Sequence, residues 1–338
     1  MSRPVAPGAT PSIPAPVDEL LRRLWDAGHA AYVVGGSLRD ALLGRQPADW
    51  DLATSARPDD LLAIFPGSVY ENQFGTVAVR RDDELFEITT FRSDHDYADF
   101  RRPHRVEFGD SVELDLGRRD FTVNAMAWGR DPRAGAAVEA ESGLVDPFGG
   151  RADVDRRVLR AVGDPRKRFE EDALRMVRAV RLAATLEFVV EPSTLAAIGE
   201  RSELVAHLSG ERLGAEMTKL LAAPRPSMGL RLMADTGILD QVSRELAAQH
   251  GIAQNKAPGE DLWDHTVRTV DAAPAGRPIV RLAALVHDIG KPATAADGHF
   301  YGHEREGADL ARAFLERLRY PKPVIERVVT LVRQHMFA

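Results

Sequence analysis

The stretch GGSLRDALLGRQPADWDLAT, residues 35–54, places Asp49 and Asp51 two positions apart. On a β-strand such a pair projects from one face. Two carboxylates on one face can hold two hard divalent cations, which serves to activate an attacking hydroxyl and stabilise a leaving pyrophosphate. Upstream, Gly35-Gly36-Ser37 leads into a helix, where backbone N–H groups and the helix dipole favour phosphate. Arg39, in the first turn of that helix, is placed to meet the same phosphates. An isolated Asp-x-Asp is more often a surface turn; the glycine turn upstream and the strand-like setting turn the reading toward metal. Glu87, in LFEITTF, stands among alternating apolar residues on a further strand. It is a candidate third carboxylate if that strand lies beside the first, and a solvent-facing acid otherwise.

A second constellation lies toward the C-terminus. Asp264-His265, His287-Asp288 in LVHDIGKP, His303 and His335 follow one another in the order of HD-domain metal ligands. Imidazoles and a carboxylate on neighbouring helices can bind one or two metal ions and activate water against a phosphoester. A lone histidine says little, but His-Asp followed by Ile-Gly-Lys-Pro is specific. His265, His287 and Asp288 are the candidate ligands. The pattern's last aspartate is not found: Asp309 comes too early, and the chain stops three residues beyond His335. A truncated product is expected, in which hydrolase activity can be lost.

These side chains need elements to hold them. At 338 residues the chain exceeds one hydrophobic core, so two or three domains are expected. Residues 1–16 contain five prolines and read as a flexible tail. Residues 17–150 are mixed α and β. The spacing predicts helices over 17–27, 37–43 and 58–65, and strands over 31–34, 49–53, 69–70, 76–80 and 85–91, with 81–84 as a hairpin connection. From residue 151 helices take over, over 154–159, 168–186, 192–201, 210–221 and 227–236. A polar boundary at 249–260 precedes a last helical region, 261–338.

Composition narrows the class. A 44% hydrophobic and 28% charged content describes an ordinary globular protein. No apolar run approaches the roughly 20 residues that span a bilayer, and no basic segment followed by an apolar stretch opens the chain. With no cysteine, disulfides and thiolate zinc sites are excluded, and the cytoplasm is the expected compartment. The net charge of -7 gives no hint of nucleic-acid binding, yet residues 151–181 hold ten Arg/Lys against six Asp/Glu. Such a segment can grip a phosphate backbone or form a solvated helix face. Nothing in the sequence sets an oligomeric state.

GGSLRD, DWDLAT, FEITTFR, DYADFRRP, RRDFTVNAMAW, VDPFGGRADV, FEEDALRMVRAVRLA and SGERLGAEMTKLL stand in this order between about residues 31 and 221. Together they resemble the motifs of bacterial class II CCA-adding enzymes, of the tRNA nucleotidyltransferase and poly(A) polymerase family. The resemblance implies an α+β fold, with a polymerase-β-like head built on a small mixed or antiparallel sheet. All-helical neck and body (151–248) and HD (261–338) regions follow. It implies addition of C, C and A to the tRNA 3′ end from CTP and ATP, with Mg²⁺ held by Asp49 and Asp51 and Glu87 as a third acidic residue. Gly36 and Arg39 match nucleotide-phosphate contacts. Arg119 and Asp120 match contacts to the incoming nucleotide, the aspartate towards the ribose.

The resemblance further implies that EDALRMVRAVR, residues 171–181, replaces a template. Three apart on a helix, Asp172 and Arg175 lie near one another. An aspartate accepts from an exocyclic amine and an arginine donates to a ring acceptor, a pattern that cytosine and adenine both offer. Arg178 and Arg181 are expected at phosphate or carboxylates. DYADFRRP, in a polar connection, matches the element that switches from C to A addition; Arg101, Arg102 and Arg105 are available to RNA without individual assignment. A poly(A) polymerase or a CC-only or A-only enzyme shares the head motifs. An HD phosphohydrolase acting on cyclic phosphodiesters or nucleotides, and a non-catalytic RNA-binding protein, are the readings from other classes.

Overall fold

The computed structural model describes residues 11–72, 75–81, 84–98, 102–133, 143–253 and 259–337, without the side chains of 72, 93–98, 102–106 and 337. Two compact units divide between Arg168 and Phe169.

In the first unit Ala15–Asp26 (α1) begins two residues earlier than its apolar spacing suggests, because Pro16 suits a first helical turn. Val17, Leu20, Leu21 and Leu24 form its buried face. The strands are Ala31–Val34 (β1), Asp51–Thr54 (β2), Val69–Asn72 (β3), Thr76–Arg81 (β4), Glu84–Thr90 (β5), Arg92–Ala98 (β6), Arg102–Phe108 (β7), Ala127–Arg130 (β8) and Gly143–Val145 (β9). Seven of them make one mixed sheet in the order β3-β4-β5-β2-β1-β8-β9. Only β2 and β5 run parallel among its described pairings; the others are antiparallel. All four residues of β1, Ala-Tyr-Val-Val, are buried, as a central strand covered on both faces requires. Beneath lies a core of Tyr32, Val34, Ala53, Phe91, Leu116 and Ala127.

Gly35–Leu42 (α2), Pro58–Ile64 (α3), Val112–Gly117 (α4) and Gly150–Arg156 (α5) complete the frame. The helix expected over 154–159 instead ends in left-handed Arg157 and gives way to the two-residue strand Val158–Leu159. The polar connection expected to carry DYADFRRP is an antiparallel hairpin, β6 paired with β7. Residues 99–101 of that motif, with Arg101, lie outside the described residues, as do the side chains of Arg102 and Arg105.

Pro165–Glu171 (α6) spans the division. The second unit is dominated by helices: Leu174–Leu186 (α7), Pro192–Arg201 (α8), Gly210–Leu221 (α9), Pro226–Asp235 (α10), Ile238–Val242 (α11), Arg244–Ala247 (α12), Leu262–Ala272 (α13), Pro278–Val286 (α14), Lys291–Thr294 (α15), His303–Arg317 (α16) and Lys322–Gln334 (α17). The single helix expected over 168–186 is broken at Asp172-Ala173. There the Asp172 carboxylate accepts from the Leu174 N–H (3.1 Å) and starts α7 afresh. No helix among the described residues is long and apolar enough to cross a membrane.

Candidate functional site

Asp51 opens β2, and its parallel partner in register is Glu87 on β5. Equivalent positions on adjacent strands share a face, so the expected adjacency of these carboxylates holds. Asp49 is not on the strand. It lies exposed in a bend, because β1 ends at Val34 and the ladder at that edge reaches only Leu52. The Asp51 N–H turns instead to the Ser37 hydroxyl (3.3 Å), which itself donates to the Val34 carbonyl (2.9 Å). Ser37 thereby locks the turn between β1 and α2 to the start of β2.

Like charge gathers here. The Asp51 carboxyl is pushed above its ordinary range by the protein packed around it and by Asp49, with Arg119 opposing. Burial, Glu71, Asp51 and Asp49 push Glu87 the same way. Glu71 was not foreseen; it arrives on β3, two strands from β5, and sequence spacing carries no signal of that. Crowded oxygen donors of one sign suit a hard divalent cation, whose charge would relieve the repulsion.

Gly35 has φ +73°, and a Cβ there would stand 2.9 Å from Arg119 Nη1 and 3.5 Å from Asp51 Oδ2. The glycine lets backbone, guanidinium and carboxylate converge. Arg119 donates through Nη2 to Asp115 (3.3 Å) and through Nη1 to the Asn124 carbonyl (3.4 Å). Asp115 is only 1% exposed. Burial would raise its pKa, but the charges of Arg118 and Arg119 outweigh it and hold the carboxyl below the usual range. Because α2 starts at Gly35, Arg39 falls in its second turn rather than its first. It is 7% exposed, and its guanidinium donates to Asp40 (2.9 and 3.0 Å) and to Asn124 Oδ1 (2.5 Å). Asn124 in turn donates to Asp120 (3.1 Å), which also accepts from the Phe121 N–H (2.9 Å). Asn124, within RRDFTVNA, is thus the link between Arg39 and Asp120, a role its motif alone did not reveal.

In the second unit Asp172 precedes α7 and Arg175 lies in its first turn, so the two are not on one continuous helix. Arg175 is buried and donates to Glu171, while Asp172 accepts twice from Arg212 Nη2 (2.7 and 3.0 Å). Arg181 donates to the buried Glu216 (2.5 Å), in keeping with the expected carboxylate contact; Arg178 is half-buried. Arg212 and Glu216 both come from SGERLGAEMTKLL on α9, which therefore braces the start and middle of α7.

Four histidines gather around Asp288 among α13, α14, α16 and α17. Asp288, 1% exposed, offers Oδ2 to His265 Nε2 (3.5 Å) and His287 Nε2 (3.1 Å), and Oδ1 to His303 and His335 Nε2 (both 3.5 Å). Two triads sharing one carboxylate result, each with its ligand atoms within 4.8 Å of one another. The Nδ1 atoms of His287, His303 and His335 face the carbonyls of Ala284 (2.8 Å), Phe300 (2.7 Å) and Val332 (2.6 Å). A carbonyl only accepts, so Nδ1 carries the proton and Nε2 turns its lone pair inward, as metal-binding imidazoles do. Burial would raise the Asp288 pKa, but His287 and His335 in their doubly protonated, metal-free form and the Lys291 ammonium (2.7 Å) hold it well below the usual carboxylate range. A Cβ on Gly290 would meet the His303 carbonyl at 2.4 Å, so the glycine of HDIG admits the start of α16. Asp264 does not join: it closes the capping box of α13 and pairs with Arg231 (2.6 Å). Asp309 is also outside, 3.6 Å from Arg333.

Three family models match in succession: the Poly A polymerase head domain over 31–160, the probable RNA and SrmB-binding site of polymerase A over 187–249, and the HD domain over 241–338. Fold and site thus define a polymerase-head protein that carries an HD domain, a combination that implies use of divalent metal. The CCA-adding enzyme of Geobacillus stearothermophilus is 46% identical over 220 residues, 65% of this chain and 52% of that protein. That of Geobacillus kaustophilus is 44% identical over 279 residues, 80% and 66% respectively. The Bacillus stearothermophilus CCA-adding enzyme in complex with CTP superposes with a TM-score of 0.72 at 34% identity, covering 96% of this chain and 71% of that one. The chain belongs to the CCA-adding enzyme family. It spans about half the length of the first curated relatives it matches. The Thermotoga maritima CCA-adding enzyme complexed with tRNA shares the fold, with a TM-score of 0.62 at 19% identity over 95% of this chain and 71% of that one.

Proposed function

We propose that this protein adds C, C and A to the 3′ end of tRNA from CTP and ATP, without a nucleic-acid template, in the cytoplasm. The observation that carries the reading is the register of Asp51 with Glu87 beneath the Gly35–Arg119 contact, in a chain of this family. Asp49, Asp51 and Glu87 would hold Mg²⁺, which when bound promotes attack by the RNA 3′ hydroxyl and departure of pyrophosphate. The backbone N–H groups at Gly35 and Gly36 would receive the triphosphate at the start of α2. Arg119, oriented by Asp115, would add a fixed positive charge. Arg39 would act chiefly by fixing Asn124 and through it Asp120, the residue proposed at the ribose. Base selection would fall to Asp172 and Arg175, the first held by Arg212 and the second by Glu171.

The test is incorporation of labelled CTP and ATP, singly and together, into tRNA ending at its discriminator base. Two C and one A support the proposal. A long A tail would assign poly(A) synthesis, and addition halting at CC, or of A alone, would assign the restricted enzymes.

The sharing of Asp288 between two histidine pairs favours a second activity, metal-dependent hydrolysis of phosphoesters by the C-terminal cluster. Nitrogen-rich ligands suit transition metals. Hydrolysis of bis(p-nitrophenyl) phosphate with Mn²⁺ should survive Asp51→Ala and vanish in Asp288→Asn; loss in Asp51→Ala alone would assign it elsewhere.

A further inference from the structure

The histidine–aspartate cluster opens onto a groove between α14 and α17. A cavity of about 710 Å³ lies beside His287 and His335, walled by Val280, Ala284 and Leu331. A second of about 620 Å³ shares Val280 and Leu331 and extends to Arg277 and Arg327. Both sides of the groove repeat one order of chemistry. Arg277, Val280 and His287 follow one another along and beside α14; Arg327, Leu331 and His335 do so along α17. Their spacings of three and seven, and of four and four, keep each trio near one helix face.

Val280 and Leu331 are 37% and 43% exposed, although both are aliphatic. Among the described residues neither Arg277 nor Arg327 forms an ion pair, and both are exposed. The acid that lines the groove, Glu326, is taken by Arg312 through bonds of 2.8 and 3.1 Å. At 1.5 Å rise per residue the arginines stand about 12 to 15 Å from the histidines along the helices. A single phosphate at the cluster cannot also reach them. A chain with two nucleotides between its end phosphates satisfies all three zones, since guanidinium groups favour phosphate and base faces tolerate apolar contact.

We propose that this groove holds a short single-stranded oligonucleotide, its reacting phosphodiester at the cluster and a second phosphate at Arg277 and Arg327. The inference rests on the phosphohydrolase reading and gives that site its substrate class.

The chain has no cysteine, so Thr330→Cys places a unique thiol in the groove. Protection of that thiol from iodoacetamide is measured in the Mn²⁺-loaded protein, with a phosphorothioate trinucleotide and with the matching mononucleotide. The trinucleotide should protect at concentrations at least roughly tenfold lower. Adding Arg277→Gln or Arg327→Gln should each weaken that protection on the order of tenfold and reduce its salt dependence. Equal protection by both probes, protection by neither, or arginine variants that behave like the parent would overturn the proposal. Thiol protection without diester hydrolysis in the parent would remove the phosphohydrolase reading and leave the oligonucleotide groove standing.

Discussion

The carboxylate site of the first unit and the histidine cluster of the second are opposite in their electrostatics. In the first, Asp49, Asp51, Glu71 and Glu87 repel one another, with Arg119 the positive charge opposing them at Asp51. In the second, Lys291 and the surrounding imidazoles already keep Asp288 ionised. Oxygen donors crowded into mutual repulsion call for a hard cation from solution, exchangeable with each substrate. A buried carboxylate ringed by imidazoles suits a softer ion. The two proposed phosphate chemistries would therefore make different metal demands.

The sharpest way to break the comparison is Asp51→Asn. It should lower nucleotide incorporation by roughly three orders of magnitude or more, while diester hydrolysis in the same preparation stays within about twofold. Parallel loss of both activities would show that the two sites are not independent.

Base selection sharpens the picture of the second unit. Asp172→Ala should reduce the preference for CTP and ATP over UTP and GTP by roughly 100-fold, and Arg212→Gln by roughly tenfold, since it only misorients the aspartate. Competition between labelled nucleotides reads both; retained activity with unchanged selectivity would refute the templating role.

Asp115 tests what holds Arg119. Breaking this buried pair by Asp115→Asn should cost about 3 kcal/mol at pH 7, followed by urea unfolding of the first unit. Its folded pKa lies below the ordinary 3.8. The contribution is therefore fully present above that value and lost as pH falls through the lower folded one. The gap between parent and variant should stay constant from pH 7 to 5 and narrow toward pH 3. A gap that widens on acidification would contradict the ion-pair account.

The smallest effect is expected at Gly35→Ala. A left-handed backbone with a Cβ costs about 1–2 kcal/mol, and the added atom would press on Arg119. Incorporation should fall about tenfold, with no change in diester hydrolysis.

Much of this was legible in the residues. The glycine turn, the Asp-x-Asp pair and HDIGKP are local patterns, and β1, α8 and α9 have the bounds their apolar spacing predicts. What spacing could not show depends on strand order or side-chain capture. Glu71 joins the carboxylates only because β4 sets β3 on the same side of β5 in the sheet order. Asp49 left its strand because β1 ends too soon to pair with it. At the break before α7 the Asp172 carboxylate takes the Leu174 N–H and the Arg212 guanidinium, contacts invisible in a run of good helix formers. The β6–β7 hairpin carries so many charged residues that no apolar alternation marks it. Arg212 and Lys291 lay inside quoted motifs, yet only the fold shows them gripping Asp172 and Asp288.

The separation of the two metal chemistries is most directly tested by metal content and incorporation measured together on the parent chain and on Asp288→Asn. The account predicts up to two retained transition-metal ions per chain in the parent, their loss in the variant, and Mg²⁺-dependent incorporation of C and A within about twofold of the parent. Unchanged metal content, or incorporation abolished with the retained metal, would contradict it.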